Sequence, residues 1–221
     1  MSLECIEMQT APKPGVTLIV LHGLGADGND FVPIAKELDL SSLGGARFVF
    51  PHAPTRPVTM NGGYVMRAWY DIAGPGHAED EAGLRQSQAQ IEALIAREVE
   101  RGTPASRIVL MGFSQGCAMT LMTGLRHRER LGGLVGLSGY LPLADRSAAE
   151  RSDANALVPI FMAHGRVDPM IPLARATGSR DALRALGYTV DWHEYPMEHS
   201  VCAEEIADLQ RWLLRTLAPQ D

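Results

Sequence analysis

The chain has 221 residues, 46% of them hydrophobic, and a formal net charge of −6. That length and apolar share suit one globular domain, residues 1–221, with a sizeable core. The acidic balance, with basic residues that are nearly all Arg and scattered, argues against a nucleic acid or an anionic membrane as partner.

Taken in order, the chain opens on Met1-Ser2-Leu3-Glu4-Cys5-Ile6-Glu7, which is acidic and lacks the basic-then-apolar pattern of a signal peptide. No apolar run is long enough to span a membrane. The three Cys, at 5, 117 and 202, form no CxxC pair and suit reduced thiols in a cytoplasmic setting. Residues 3–9 read as a short edge strand. Residues 16–21 (VTLIVL) form a continuous apolar run, as a strand buried on both faces requires. Asp30 is placed to cap a helix over 31–38. Residues 46–50 form the next strand, closed by Pro51, and a Pro- and Gly-rich loop covers 51–77. A helix over 81–101, with Ile91, Leu94, Ile95 and Val99 on one face, stops at Gly102. Strands follow at 107–111, 131–138, 159–164 and 189–195, with helices after 116, over 173–186, and along Cys202, Ile206, Leu209, Leu213 and Leu217. Strands alternating with helices predict an α/β fold with a mostly parallel sheet covered on both sides.

Between the strand at 107–111 and the following helix lies Gly112-Phe113-Ser114-Gln115-Gly116. The bare G-x-S-x-G pattern is weak, but strand, sharp turn and helix are the setting in which it is a nucleophile elbow. Ser114 is therefore the candidate nucleophile. A triad on such an elbow continues in the order acid, then His. His193 falls within an alternating strand and reads as a packing or surface residue. His199 lies in the loop beyond that strand, where a base belongs. Asp145 and Asp153 sit in a polar, solvated stretch, whereas Asp168 follows the strand at 159–164 and can orient His199 through Nδ1. His164 reads as structural and Glu198 as a solvated charge. Two backbone N–H groups complete the set: Gln115, after the nucleophile, and Leu24, in the loop His22-Gly23-Leu24-Gly25 after an early strand.

Gly23-x-Gly25-x-x-Gly28 also fits a dinucleotide fingerprint. That reading needs an acidic residue at the end of the second strand, where this chain has Phe50-Pro51-His52.

With these residues in hand, the chain resembles the small carboxylesterase and acyl-protein thioesterase family of α/β-hydrolases. The resemblance rests on His22 to Gly28, Arg67-Ala68-Trp69-Tyr70-Asp71, Gly112 to Gly116, His164-Gly165 with Asp168-Pro169, and His199-Ser200. It implies Ser114, Asp168 and His199 as the triad and Leu24 with Gln115 as the oxyanion pair. It also implies an α/β-hydrolase fold without a large lid domain, and hydrolysis of aliphatic esters or thioesters with no cofactor and no metal. Relatives of this kind often pair as homodimers. The substrate is a small ester or thioester, or a lipidated protein; lysophospholipids belong to the same range. The loop 56–77 is the natural cover of an acyl groove, and Met60, Tyr64, Val65, Met66 and Trp69 are candidates to line it. Packing of Trp69 into the core is an equal alternative. Met170 and Ile171, beside Asp168, also face substrate on this reading, with the resemblance favouring Met170.

The chain departs from the family at Cys117, where a second Gly is usual. Positive dipoles at a helix N-terminus could lower its pKa, whereas simple packing in place of Gly is the plainer account. Competing functions are a serine peptidase or lactone hydrolase, and a non-catalytic ligand-binding α/β-hydrolase fold.

Overall fold

The computed structural model describes residues 3–74 and 76–218. Met1 and Ser2 of the acidic terminus, Pro75 of the 51–77 loop, and the last three residues of the expected domain lie outside that range.

One sheet of seven strands runs through the molecule. In chain order its strands are β1 (Cys5–Gln9), β2 (Val16–Leu21), β3 (Ala46–Pro51), then β6 (Ile108–Phe113), β7 (Gly133–Leu137), β8 (Ile160–Gly165) and β9 (Val190–Tyr195). Between β3 and β6 a separate hairpin pairs β4 (Thr55–Val58) with β5 (Tyr64–Arg67). The spatial order is β1-β3-β2-β6-β7-β8-β9, with β1 antiparallel and every other pairing parallel. The helices are α1 (Val32–Glu37), α2 (Glu81–Glu100), α3 (Gln115–Arg126), α4 (Ser147–Glu150), α5 (Leu173–Ala185) and α6 (Ala203–Thr216).

Side-chain alternation splits the core into two layers. Ile19, Leu21, Leu110, Leu134 and Ile160 face α2, α3 and α5, through residues such as Ile91, Leu121 and Leu183. Leu18, Val20, Phe48, Val109 and Phe161 face α1 and α6, through Ala35, Leu209, Trp212 and Leu213. Burial on both faces is why the central strands read as unbroken apolar runs. Among the described residues, no helix is long and apolar enough to cross a membrane, and no large additional domain interrupts the sheet.

Two local expectations change. The helix after the first loop is capped at Phe31 without a side-chain bond. The Asp30 N–H instead donates to the Asp27 carbonyl in a turn, so Asp30 is not the cap. The 51–77 stretch is not irregular throughout. Its prolines and glycines belong to a two-stranded ribbon, where Pro57 is tolerated because a ribbon leaves outward N–H positions unpaired.

The chain order doubles back at β2: β3 lies on one side of it and β6 on the other. The carboxyl ends of β2 and β6 thus flank a topological switch point, the place where open α/β sheets bind ligands.

Candidate active site

Ser114 stands between the end of β6 and the first residue of α3, with φ 56° and ψ −117°. This is a strained backbone for a residue with a Cβ. Two glycines permit it. A Cβ on Gly112 would lie 2.2 Å from the Gly116 carbonyl oxygen, and one on Gly116 would lie 2.1 Å from that of Leu21. The motif is therefore dictated by the close approach of α3 to β6 and β2.

His199 follows β9 and lies on the elbow, its ring 4.7 Å from that of Phe113. Its Nδ1 donates to Asp168 Oδ2 at 2.6 Å. The other oxygen, Asp168 Oδ1, accepts from the Met170 and Ile171 N–H groups at 2.8 and 2.9 Å. Burial raises the Asp168 carboxyl pKa, but the Ile171 amide, His199 and the Met170 amide outweigh it and hold the group below its ordinary value. A persistent carboxylate on Nδ1 leaves Nε2 as the free basic nitrogen. His164, fully buried at the end of β8, donates from Nε2 to the Ile171 carbonyl at 2.8 Å. It props the Asp168 loop, and its Nε2 also lies 3.5 Å from Asp168 Oδ2.

Leu24 lies in the loop beyond β2, and Gln115 opens α3. A Cβ on Gly23 would be 3.4 Å from Ser114 Cβ, so this loop abuts the nucleophile. Among the described residues, neither the Leu24 nor the Gln115 N–H enters a turn, loop or cap hydrogen bond. Two free donors beside a serine are what a developing oxyanion requires. His22 is buried. Its Nδ1–H donates to the Gly23 carbonyl at 2.7 Å, and its Nε2 accepts from the Ala53 N–H at 3.0 Å. Burial pushes its pKa down to about 4, so it is a neutral, fixed imidazole and no base.

Trp69 does not line a groove. It is 0% exposed, its indole N–H donates to the His22 carbonyl at 2.9 Å, and its ring offers no surface to a substrate. Met170 is 65% exposed beside Asp168, and Met60, Tyr64 and Val65 project from the hairpin. Met66 meets the loop that carries Leu24: a Cβ on Gly25 would sit 3.6 Å from its sulfur. Ile171 is buried under the Asp168 turn. His193 bonds Asp191 and stacks on Phe161, Glu198 is exposed, and Asp145 and Asp153 are exposed far along the chain from His199.

Cys117 is fully buried, and burial pushes its thiol up to about 12, the reverse of helix-dipole activation. Cβ atoms on Gly136 and Gly139 would meet its Sγ at 2.8 and 2.6 Å. The thiol therefore fills a space that glycines on β7 and beyond leave open. A surface cavity of about 410 Å³, lined by Thr10, Lys36, Asp39 and Ser41, lies at the amino end of β3, away from the elbow.

Residues 4–217 match the family model described as Phospholipase/Carboxylesterase. The chain belongs to that family. It is 42% identical over 204 residues to acyl-protein thioesterase 1 of Yarrowia lipolytica, covering 89% of this chain and 90% of that protein. Acyl-protein thioesterase 1 of Neurospora crassa is 41% identical over 212 residues, covering 91% and 86%. Among solved structures, Arabidopsis thaliana SOBER1 superposes with a TM-score of 0.86 at 31% identity, covering 91% of this chain and 99% of that one. Zea mays acyl-protein thioesterase 2 gives 0.85 at 28% identity, covering 97% and 99%. The fold is that of the α/β-hydrolases, and the protein is a hydrolase of the ester and thioester class.

The side chain of Gln115 was not visible as a functional group in the sequence, which pointed only to its backbone. Its Oε1 accepts from the Trp69 N–H at 2.8 Å, and its Nε2 donates to the Tyr70 carbonyl at 2.7 Å. The one available signal was a long amide side chain opening a helix whose next four residues are all small or apolar.

Proposed function

We propose that the protein hydrolyses carboxylic esters and thioesters of aliphatic acyl groups through an acyl-enzyme on Ser114. The observation that carries this reading is the Asp168–His199 pair, bonded at 2.6 Å and laid against Phe113, the residue before a strained Ser114. His199 takes the Ser114 proton as Oγ attacks the acyl carbonyl. The oxyanion is received by the Leu24 and Gln115 N–H groups. His199 then returns the proton to the departing alcohol or thiol, and water repeats the sequence to release the acid. Each step uses groups of this chain, the substrate and one water.

The acyl chain runs over Met66 and Met170 on this reading, with the hairpin side chains Met60, Tyr64 and Val65 at its outer end. An apolar lining favours aliphatic over charged acyl groups. The fungal relatives are named acyl-protein thioesterase 1, and apolar side chains exposed around the site suit a lipid chain delivered on a protein cysteine. Lipidated protein is therefore the favoured natural substrate, small esters being turned over by the same chemistry.

The test is steady-state hydrolysis of p-nitrophenyl esters from acetate to palmitate by wild type and Ser114→Ala. Wild type should turn over, with the variant lower by several orders of magnitude in kcat. A chain-length optimum at eight carbons or more, on the order of a long alkyl groove, supports the lipid substrate. Equal activity of Ser114→Ala would overturn the mechanism.

A further inference from the structure

The two oxyanion donors belong to segments far apart in sequence, and no direct hydrogen bond among the described residues ties Leu24 to Gln115. Their spacing must therefore be set through something else. Gln115 is 2% exposed, and a buried primary amide is costly unless both its ends are bonded. Both ends are bonded to one short stretch of backbone, the Trp69 N–H and the Tyr70 carbonyl. The Trp69 carbonyl accepts the Ser87 hydroxyl of α2, which anchors the stretch to the core. From the same residue, the indole N–H reaches the opposite way to the His22 carbonyl. His22 in turn donates to the Gly23 carbonyl, and its ring is held from behind by the Ala53 N–H. The Gly23 carbonyl and the Leu24 N–H share one planar peptide unit. Fixing the carbonyl on one side fixes the direction of the N–H on the other. A second tie runs from the Gly25 N–H to the Arg67 carbonyl at 2.9 Å.

We propose that Gln115, Trp69 and His22 form a continuous hydrogen-bonded brace that sets the separation and aim of the two oxyanion donors. The proposal rests on the acyl-enzyme reading and adds positioning residues to it. Trp69 and His22 touch no reacting atom; the Gln115 side chain acts on its own backbone donor by pinning the start of α3. Preorganised donors contribute to the rate only where they already point at the charge that develops, so loosening the brace should act on the transition state and spare ground-state binding.

The experiment compares Trp69→Phe, which removes the indole N–H and keeps most of the ring, with Gln115→Met, which keeps length and removes both amide bonds. Each is measured on p-nitrophenyl butyrate and with an alkyl trifluoromethyl ketone. The ketone's carbonyl carbon bonds to Ser114 Oγ as the Oγ–H proton passes to His199 Nε2, and the ketone oxygen becomes an oxyanion in the hole. The expected result is kcat lower by about tenfold for Trp69→Phe and up to about a hundredfold for Gln115→Met, with KM nearly unchanged. Affinity for the ketone should fall by matching factors. The double variant should lose less than the product of the single losses, since both interrupt one chain of bonds. A purely structural role would lower the melting temperature and leave kcat and ketone affinity of the folded fraction intact, and that result overturns the brace. So does a loss confined to KM. Should Gln115→Met not fold, Trp69→Phe alone decides: its kcat and ketone affinity must fall together with KM nearly unchanged. Ser114→Ala runs alongside. If it stays active, the acyl-enzyme reading itself has failed; if it is inactive while Trp69→Phe and Gln115→Met keep full kcat, only the brace has failed.

Discussion

At the scale of single residues, the proposed acyl-enzyme mechanism divides the site into groups that react and groups that hold them. Asp168 belongs to the second kind. Three donors converge on its carboxylate, two from its own turn and one from His199. Asp168→Asn keeps the size and can keep an acceptor for the turn amides. It then presents an NH₂ group to His199 Nδ1, which favours the wrong tautomer. By analogy with other serine hydrolases, kcat should fall by about four orders of magnitude with KM changed little. Activity restored toward wild type in that variant would show that His199 needs no anionic partner. Cys117 makes the contrasting point. From the sequence its place in the first turn of a helix allowed an activated thiol, and its burial makes it an inert filler. Helix position could be read from the sequence; the depth of the position could not, because it depends on Gly136 of β7 and Gly139 just beyond it.

Elements carry the site as loops at strand ends, and this is the scale at which the sequence was most legible. Continuous apolar runs marked β2, β6 and β8, and each candidate group follows one of them: Leu24, Ser114 and Asp168. Spacing and chain order were enough to select Asp168 and His199, which the fold brings to 2.6 Å. The hairpin of β4 and β5 was not legible, because Pro57 and two adjacent glycines, Gly62 and Gly63, mimic an irregular loop. Trp69 was ambiguous for another reason. An aromatic in a Pro- and Gly-rich stretch without helix or strand periodicity can face either way, and only its bonds to His22 and Gln115 decide it. Gly28, the last glycine of the rival dinucleotide pattern, is explained by packing: a Cβ there would lie 2.5 Å from the Phe50 carbonyl oxygen. Gly165 gives a prediction of the same kind. A Cβ on it would come within 2.3 Å of the carbonyl oxygens of both Met197 and Glu198, the two residues before His199. Gly165→Ala must push that loop off the end of β8. The expected result is a loss of about a hundredfold in kcat, the order of effect of a misplacement near 1 Å, with a stability cost of about 1–3 kcal/mol. Urea unfolding and ester kinetics on one preparation measure both. Unchanged kcat would mean that the His199 loop does not depend on this close approach.

For the molecule as a whole, two ionisable groups buried at separate places oppose each other in pH. His22 directly follows β2, Glu205 lies in the first turn of α6, and both are essentially inaccessible to solvent. Burial lowers His22 from 6.5 to about 4. The unfolded chain therefore takes up that proton below pH 6.5 while the folded chain refuses it, and stability falls as pH drops from 6.5 toward 4. Burial raises Glu205 from 4.5 to about 8, against a weaker pull from the Cys202 backbone whose geometry falls short of a hydrogen bond. Here the unfolded chain releases its proton above pH 4.5 while the folded chain keeps it, so stability falls as pH rises from 4.5 toward 8. Each group contributes a slope of about 1.4 kcal/mol per pH unit within its window. Between roughly pH 4.5 and 6.5 the two slopes have opposite sign and cancel, so wild type should be level there so far as these groups decide it. The carboxylates held low by partners, Glu150 at about 2 among them, act below that range. Glu205→Gln removes one slope and leaves the other. Its stability should then climb with pH from 4.5 to 6.5 by roughly 2–3 kcal/mol, and at pH 7 exceed that of wild type by roughly 3 kcal/mol. Urea midpoints at constant m-value across pH 4.5–8 measure the difference. Parallel curves for the two proteins would mean that Glu205 is already ionised in the folded chain and that α6 accommodates the charge. A gain that grows with pH would identify Glu205 as the group that limits stability in neutral solution.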